Sequence, residues 1–194
     1  MITVGIDEVG RGCWAGPLVA GAVILPENII LKLRDSKKLS KGQREVLAPA
    51  INTTATAVGL GWVWPAEIDE HGITWAVKTA MERALAEIRA EYDEIIIDGN
   101  INYMSPDPKA KAVIKADDSV SAVSAASIVA KVARDTYMTK IAEEYPGYGF
   151  EDHVGYGTAV HIAALKRLGV SNIHRQSYKP IRTLLAKAVP ASIH

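Results

Sequence analysis

Hydrophobic residues occur in short runs along the first half of the chain, and polar residues or proline follow each run. The runs over residues 2–7, 18–25 and 56–64 have the length and the flanking residues of strands, and we expect three strands there. Between the second and third runs, Ser40 and Gln43 have the spacing of a capping box. A helix is therefore predicted to begin at this serine.

The second half of the chain alternates between helical and strand patterns. Apolar residues at helical spacing predict a helix from Trp75 to Tyr92, and the apolar run Glu94–Asp98 is typical of a buried strand in a parallel sheet. A further strand is predicted over Lys111–Lys115, and further helices over about 119–144 and 158–168. Alternating strands and helices imply βαβ crossovers, so some strands should pair in parallel. The pattern predicts one α/β domain.

Composition narrows the class of protein. The chain has 194 residues, of which 48% are hydrophobic, and this is enough for a sizeable core. No apolar run approaches the length of a membrane span, and the N-terminus lacks the features of a signal peptide, so we expect a cytoplasmic protein without a membrane partner. The formal net charge is zero, which excludes a global basic field but not a local basic face.

The cysteine and histidine content limits the possible metal sites. The single cysteine, Cys13, excludes an internal disulfide and a cysteine-based zinc site, and it is most simply a small buried side chain. The five histidines show no spacing typical of a metal pair. Any metal site in this chain should therefore be built from carboxylates.

Acidic residues follow three of the predicted strands: Asp7, Glu8, Asp98, Asp117 and Asp118. Ligands bind beyond the carboxyl ends of strands in open α/β sheets, so these acids could converge there. Carboxylate oxygens are the ligands that Mg²⁺ prefers. Two such ions can activate a water and stabilise the leaving oxygen in phosphodiester hydrolysis. The pattern predicts a divalent metal site.

Each acid also has a simpler interpretation. Asp98 precedes a glycine and suits a tight turn, and either Asp117 or Asp118 could cap the long helix. Asp7 and Glu8 are harder to explain in this way, because adjacent like charges beside an apolar strand repel each other. Consecutive strand residues point to opposite faces, so these two carboxylates should converge only where the strand ends or bends. A straight ladder through residue 9 would rule out the paired site.

Several basic and glycine-rich segments are candidate substrate contacts. The turn Gly10-Arg11-Gly12 would let bare backbone approach a ligand while the arginine meets a phosphate, although a flexible turn with a solvated arginine is simpler. Lys37-Lys38 is most simply a solvated face, and Tyr156 lies between two glycines like a loop anchor. Lys131 and Arg134 share a helix face. The segment 174–182 mixes basic and aromatic residues, as phosphate contacts and stacking require.

Taken together, these segments resemble the bacterial ribonuclease HII family, the type-2 ribonucleases H. The resemblance covers nearly the whole chain and rests on GIDEVGRGCWAGP at 5–17, RDSKKLS at 34–40, IDG at 97–99, KADDS at 115–119, SAASIVAKVARD at 124–135, HVGYGT at 153–158 and HRQSY at 174–178. It implies a ribonuclease H-like α/β fold: a central mixed five-stranded sheet flanked by helices, with the second strand antiparallel. The whole chain, 1–194, would be a single catalytic domain, with a helical C-terminal region from about 145 that contacts the substrate.

The resemblance also implies an activity. The chain would be an endonuclease that hydrolyses the RNA strand of RNA/DNA hybrids and cuts 5′ of ribonucleotides embedded in duplex DNA, leaving 3′-hydroxyl and 5′-phosphate ends. Two Mg²⁺ or Mn²⁺ ions would be the cofactors, and the protein would act as a monomer. The family's motifs make Asp7, Glu8, Asp98 and Asp117 the catalytic metal ligands, and the motif register prefers Asp117 to Asp118.

The resemblance also implies the substrate-binding residues. Gly10, Arg11 and Gly12 would recognise the ribonucleotide partly through its 2′-hydroxyl, and Tyr156 would pack on the neighbouring sugar. Lys37 and Lys38 would lie near the substrate backbone. The chain departs from the family's usual pattern at Cys13, Ala116, Val154 and Tyr178. None of these departures removes a proposed metal ligand. Two alternatives are a non-catalytic module that binds hybrids and a different metal-dependent phosphoesterase.

Overall fold

The structure is a computed structural model that describes residues 1–28, 33 and 39–188. The strands are β1 (Thr3–Val9), β2 (Leu18–Ile24), β3 (Ala57–Val63), β4 (Glu94–Asp98) and β5 (Ala110–Val113). The helices are α1 (Lys41–Thr54), α2 (Pro65–His71), α3 (Ile73–Ala86), α4 (Ala116–Ser119), α5 (Ser121–Ile141), α6 (Phe150–His153), α7 (Ala159–Leu168) and α8 (Lys179–Ala188). In the described part of the chain, no helix is both long and apolar enough to cross a membrane.

The strands form one mixed sheet in the order β3-β2-β1-β4-β5. β2 pairs antiparallel with both β1 and β3, whereas β1, β4 and β5 run parallel. This confirms the predicted five-stranded mixed sheet with its antiparallel second strand. The chain direction brings the carboxyl ends of β1, β4 and β5 to the same edge of the sheet.

Helices cover both faces of the sheet, α3 on one side and α5 on the other. α5 lies unusually close, because β1 and β2 present glycines to it. A Cβ on Gly5 would lie 2.2 Å from the backbone of Ala122, and one on Gly21 would lie 2.5 Å from the carbonyl oxygen of Ala126. Only glycine permits this approach. It fixes the next turns of α5 beside the C-terminal end of β1.

A second apolar cluster lies at the C-terminal end of α5 and includes Met138, Phe150, Leu165 and Ile181. The segment after the glycine turn threads through it: Trp14 N donates to Gly155 O, and Arg175 N donates to Trp14 O, both at 2.8 Å. The N-terminal turn is thus tied to the loops before α7 and α8. We call this meeting of residues 13–17, 153–158 and 171–178, together with the side chains of Arg134 and His161 that bond to them, the C-terminal junction.

Most predicted elements are present, with shifted limits. The capping box of Ser40 and Gln43 starts α1, and α7 closely follows the predicted helix over 158–168. The predicted helix from Trp75 to Tyr92 ends earlier, at Ala86, and α2 was not predicted because Pro65 was taken only as the end of a strand. The helix expected over about 119–144 is present as α5, with slightly shifted limits. The short helix α4 before it was not predicted, and the extended backbone at Val120 separates the two.

Candidate active site

A cleft of about 360 Å³ opens at the carboxyl ends of β1 and β4. Three of the predicted acids line it: Asp7, Glu8 and Asp98. α5 contributes its opposite wall, and the loop before α7 contributes an aromatic ring. The remaining lining residues are Val9, Arg44, Ser127, Ile128, Lys131 and Tyr156.

The expectation that β1 ends or bends before residue 9 is wrong, and so is the condition that a ladder through residue 9 rules out a paired site. Its ladder with β2 continues through Val9, which pairs with Val19. On the other side, however, pairing with β4 stops at Ile6 and Ile97. The pairing between β1 and β4 therefore ends just before the acids, which leaves space between the two strand ends. Both Asp7 and Glu8 line the same cleft although strand alternation starts them on opposite faces.

The two β1 carboxylates lie in an environment that disfavours their charge. Burial, together with the neighbouring carboxylates of Glu8 and Asp98, raises the pKa of Asp7 to about 8, while a hydrogen bond from Ser127 opposes the rise. Burial also raises the pKa of Glu8, against the nearby Arg11 guanidinium, which lowers it. Groups with strongly shifted pKa values in a cleft are typical of functional sites.

Asp98 and Asp117 are joined through the backbone of α4. Asp98 Oδ1 accepts a hydrogen bond from Ala116 N at 2.8 Å and lies 3.5 Å from Asp117 N. Asp117 is buried in the first turn of this helix, whereas Asp118 is exposed. Asp117 does not line the cleft but lies directly behind Asp98. The two candidates for the fourth acid are therefore in different environments, and Asp117 is the one next to the cleft.

The type of ligand atom in the cleft suits a hard divalent cation. The cleft acids offer only carboxylate oxygens, and a cation among them would offset the repulsion that raises the pKa of Asp7. The acids are not yet arranged as metal ligands. Among the described residues, no three acidic, histidine or cysteine side chains lie close enough together to coordinate one metal ion. Glu8 instead lies 3.7 Å from the Arg11 guanidinium.

The glycine turn begins where β1 ends. Gly10 has a φ of +89°, which glycine adopts without strain, and Cys13 N donates to its carbonyl to close the turn. Arg11 and Gly12 are exposed beside the cleft. Cys13 is fully buried, as predicted. The turn is therefore held at its base and open at its tip.

Comparison with known proteins identifies the family. The model of the ribonuclease HII family matches residues 4–181 of this chain. The chain belongs to the ribonuclease HII family. It is 48% identical over 182 residues to Ribonuclease HII of Nitrosococcus oceani, covering 93% of this chain and 90% of that one. With Ribonuclease HII of Shewanella piezotolerans it shares 47% identity over 181 residues, covering 92% and 88%.

Solved structures agree with this family and its fold. The ribonuclease H2 of Pyrococcus horikoshii OT3 matches with a TM-score of 0.83 and 29% identity over 96% of this chain and 98% of that one. The RNase HII in a PCNA complex from Archaeoglobus fulgidus matches with a TM-score of 0.77 and 28% identity over 92% and 96%. Bst-RNase HIII, solved with Mn²⁺, shares the fold at a TM-score of 0.72 and 21% identity, over 97% and 70%. The predicted ribonuclease H-like fold is confirmed.

Membership of the ribonuclease HII family makes this chain a hydrolytic endoribonuclease. The alternatives of a non-catalytic binding module and of an unrelated phosphoesterase are thereby set aside. Within such an enzyme, the cleft at the ends of β1 and β4 is the candidate active site. It combines one buried and two half-buried acids with flanking cations and an aromatic ring, beside an exposed glycine turn.

Two arginines that the sequence grouped with possible phosphate contacts have another role. Arg134 is fully buried and donates to the carbonyl oxygens of Pro17, Val154 and Ala15 at 2.8–3.1 Å. Arg175 is also fully buried and donates to Gly16 O and Arg11 O. Neither guanidinium can reach a bound phosphate. Both instead fix the backbone around the glycine turn.

Tyr156 and Lys131 do reach the cleft. The Lys131 ammonium lies 5.4 Å from the centre of the Tyr156 ring and 2.9 Å from Asp135 Oδ1. Burial and the neighbouring Cys13 raise the pKa of Tyr156 to about 12, so the phenol keeps its proton. Lys37 and Lys38 lie outside the described residues. Their predicted contact with the substrate backbone stays a prediction.

Sequence inspection missed Arg44 and Ser127 as cleft residues. Ser127 lies one helical turn before Lys131, so helical spacing from that lysine could have indicated it. Arg44 follows the capping box of α1, and nothing in its sequence neighbourhood marks it. Among the described residues, Arg44 and Lys131 are the cations that line the cleft.

Proposed function

We propose that this enzyme cuts the RNA strand of RNA/DNA hybrids and also cuts on the 5′ side of single ribonucleotides in duplex DNA. The family acts on RNA/DNA substrates, and its relatives here are ribonucleases HII. The observation that carries the proposal is the convergence of Asp7, Glu8 and Asp98 on one cleft. That cleft lies beside a glycine turn and an exposed tyrosine, and both could contact the sugar of a bound ribonucleotide.

Asp7, Glu8 and Asp98 would hold two divalent ions, Mg²⁺ or Mn²⁺, at the open edge between β1 and β4. When bound, such ions activate an attacking water and stabilise the leaving oxygen of the phosphodiester. Asp117, buried behind Asp98, would complete the acidic set from α4. Glu8 would release Arg11 as it turns to the ions, which frees that guanidinium to meet a substrate phosphate.

Recognition of the ribonucleotide would fall to the surface beside the acids. The backbone of Gly10-Arg11-Gly12 can contact a 2′-hydroxyl, the group that distinguishes RNA from DNA. The Tyr156 ring would pack on the neighbouring sugar, with Lys131 above the ring and Arg44 across the cleft near the phosphates. Helices α6 to α8 would support this surface as the substrate-contacting C-terminal region.

A cleavage assay tests this function. The substrate is an end-labelled DNA duplex with one embedded ribonucleotide, incubated with Mg²⁺ or Mn²⁺, and an all-DNA duplex of the same sequence is the control. The expected product ends in a 3′-hydroxyl on the 5′ side of the ribonucleotide, and the all-DNA duplex stays intact. Cutting of a long hybrid but not of the single ribonucleotide would remove the second part of the proposal. Failure to cut either substrate with both ions would remove all of it.

A further inference from the structure

Three buried histidines lie behind the loop that carries Tyr156. The rings of His153 and His161 stack with centres 4.4 Å apart, and His161 Nε2 lies 3.0 Å from His174 Nε2. None of the three lines the cleft. His153 and His161 contact the loop that carries Tyr156, and His174 contacts His161.

The contacts of His161 fix its tautomer. Its Nδ1 lies 2.9 Å from the carbonyl oxygen of Tyr156, which can only accept a hydrogen bond. Nδ1 must therefore carry a proton and donate it to that carbonyl. In a neutral ring Nε2 is then an acceptor, and His174 Nε2 must donate to it.

The same reasoning extends the chain of hydrogen bonds to Ser171. Because Nε2 of His174 is the donor, its Nδ1 accepts, and both the backbone N–H and the hydroxyl of Ser171 lie within 3.0 Å of it. Burial lowers the pKa of both His161 and His174 to about 4, so both rings are neutral at pH 7. A directed chain thus runs from Ser171 through His174 and His161 to the carbonyl of Tyr156.

The third histidine holds the other side of the same loop. Gly155 N donates to His153 Nδ1 at 3.2 Å, and Tyr156 N donates to His153 O at 2.9 Å. His153 Nε2 then donates to Tyr148 O at 2.8 Å. The backbone N–H of Tyr156 thus donates to a histidine carbonyl, and its own carbonyl accepts from His161 Nδ1 and from Thr158 N at 2.8 Å, while its ring remains exposed at the cleft.

We propose that His161 is a positioning residue for substrate recognition: its Nδ1–H, aligned by His174, fixes the backbone of Tyr156 and so the ring that packs on the sugar. The proposal rests on the proposed function, since it assumes that Tyr156 contacts substrate. His161 itself touches neither substrate nor the acids. It acts only through the loop, and its effect should vanish when the Tyr156 ring is removed.

A matched pair of variants tests this role. In His161→Asn the side-chain amide occupies the place of Nδ1 and keeps the bond to the Tyr156 carbonyl, whereas in His161→Gln it occupies the place of Nε2 and keeps only the contact with His174. We expect the asparagine variant to keep kcat/KM within about threefold, and the glutamine variant to lose about tenfold, mainly through KM, as one hydrogen bond is worth. Equal losses in the two variants, in proportion to their loss of thermal stability, would overturn the proposal.

Two further measurements separate this proposal from the proposed function. In the background of Tyr156→Ala, the difference between the two His161 variants should disappear, and a persisting difference would show that His161 acts elsewhere. If Tyr156→Ala alone leaves cleavage unchanged, the role of Tyr156 itself is wrong. Nitrogen NMR of the unsubstituted protein needs no activity: it should show His161 protonated on Nδ1 and His174 on Nε2, and the opposite tautomers would overturn the hydrogen-bond chain.

Discussion

The active-site cleft and the C-terminal junction both bury polar side chains, but they differ in whether those side chains have compensating partners within the chain. In the junction, Arg134 and Arg175 donate to backbone carbonyls, and His161 and His174 are paired with each other and with the loop. In the cleft, burial and like charge raise the pKa values of Asp7 and Glu8. The charged and polar groups of the junction are paired within the chain, whereas the proposed function requires divalent cations to compensate the acids of the cleft.

This difference separates residues that stabilise the fold from residues that act on substrate. A buried polar group whose partners are all in the chain contributes to stability, and its removal leaves those partners unsatisfied. Buried like charges without such compensation cost stability, and they persist where function requires them.

Asp7→Asn should abolish activity and stabilise the metal-free protein. Cleavage should fall by about 10³-fold or more, because removing a charged ligand removes transition-state stabilisation of at least about 4 kcal/mol. In EDTA at pH 7.5 the free energy of unfolding should rise by about 1–2 kcal/mol, because asparagine is neutral without taking up a proton, whereas Asp7 with its raised pKa costs stability at this pH. Asp118→Asn, at an exposed acid, is the control and should change neither quantity. A destabilised Asp7→Asn would contradict the contrast.

Arg134→Met should destabilise the protein, in contrast to Asp7→Asn. Losing three hydrogen bonds to carbonyls should lower the free energy of unfolding by about 3 kcal/mol, measured by urea denaturation. Arg11→Met is the matched control, because Arg11 is exposed and should change stability by no more than about 0.5 kcal/mol. Similar losses from both arginines would show that burial does not distinguish them.

The two regions should respond to pH with opposite signs. The folded pKa of His161 and His174 is about 4, below the usual 6.5, so their contribution is complete above pH 6.5 and is lost as pH falls toward 4. The folded pKa of Asp7 is about 8, above its usual 3.8, so its contribution to stability is complete below pH 3.8 and is lost progressively as pH rises to 8. We expect changes on the order of 2 kcal/mol in EDTA.

Urea denaturation across pH 4–8.5 checks these signs. Replacing His161 and His174 together by Asn should flatten the loss below pH 6.5, and Asp7→Asn should flatten the loss toward pH 8. If the histidine variant instead flattens the alkaline side, the assignment of the two regions is wrong.

Tyr178→Phe should have the smallest effect. Its hydroxyl donates to Arg11 O at 2.6 Å and accepts from Arg175 Nη1 at 2.9 Å, so it links the exposed turn to the buried junction. Removing it should cost about 1 kcal/mol of stability and raise KM for a single-ribonucleotide duplex by about threefold. Thr183→Val, which removes a hydroxyl bonded only within α8, is the control and should leave KM unchanged.

Much of the fold followed from local patterns in the sequence. The apolar runs of β1, β2 and β4 and the capping box of α1 are local signals, and the structure has each of them. The short helix α4 was not predictable, because it begins after the left-handed backbone of Lys115, a residue with no particular preference for that conformation.

The site was predictable in composition more than in geometry. The acids could be found because they follow apolar strands, but the parting of β1 from β4 after Ile6 is a tertiary feature that no local pattern carries. The burial of Arg134 and Arg175 was missed for a similar reason. An arginine that donates to backbone carbonyls has the same side chain as one that binds a phosphate, and only the tertiary fold distinguishes the two.

The central claim is that the acids of the cleft are completed by divalent cations. A crystal soaked with Mn²⁺ and measured for anomalous scattering tests it directly. We expect two peaks about 4 Å apart between Asp7, Glu8 and Asp98, with the Glu8 carboxylate turned away from Arg11. An absence of peaks in the cleft at saturating Mn²⁺, or peaks bound only outside it, would contradict the account.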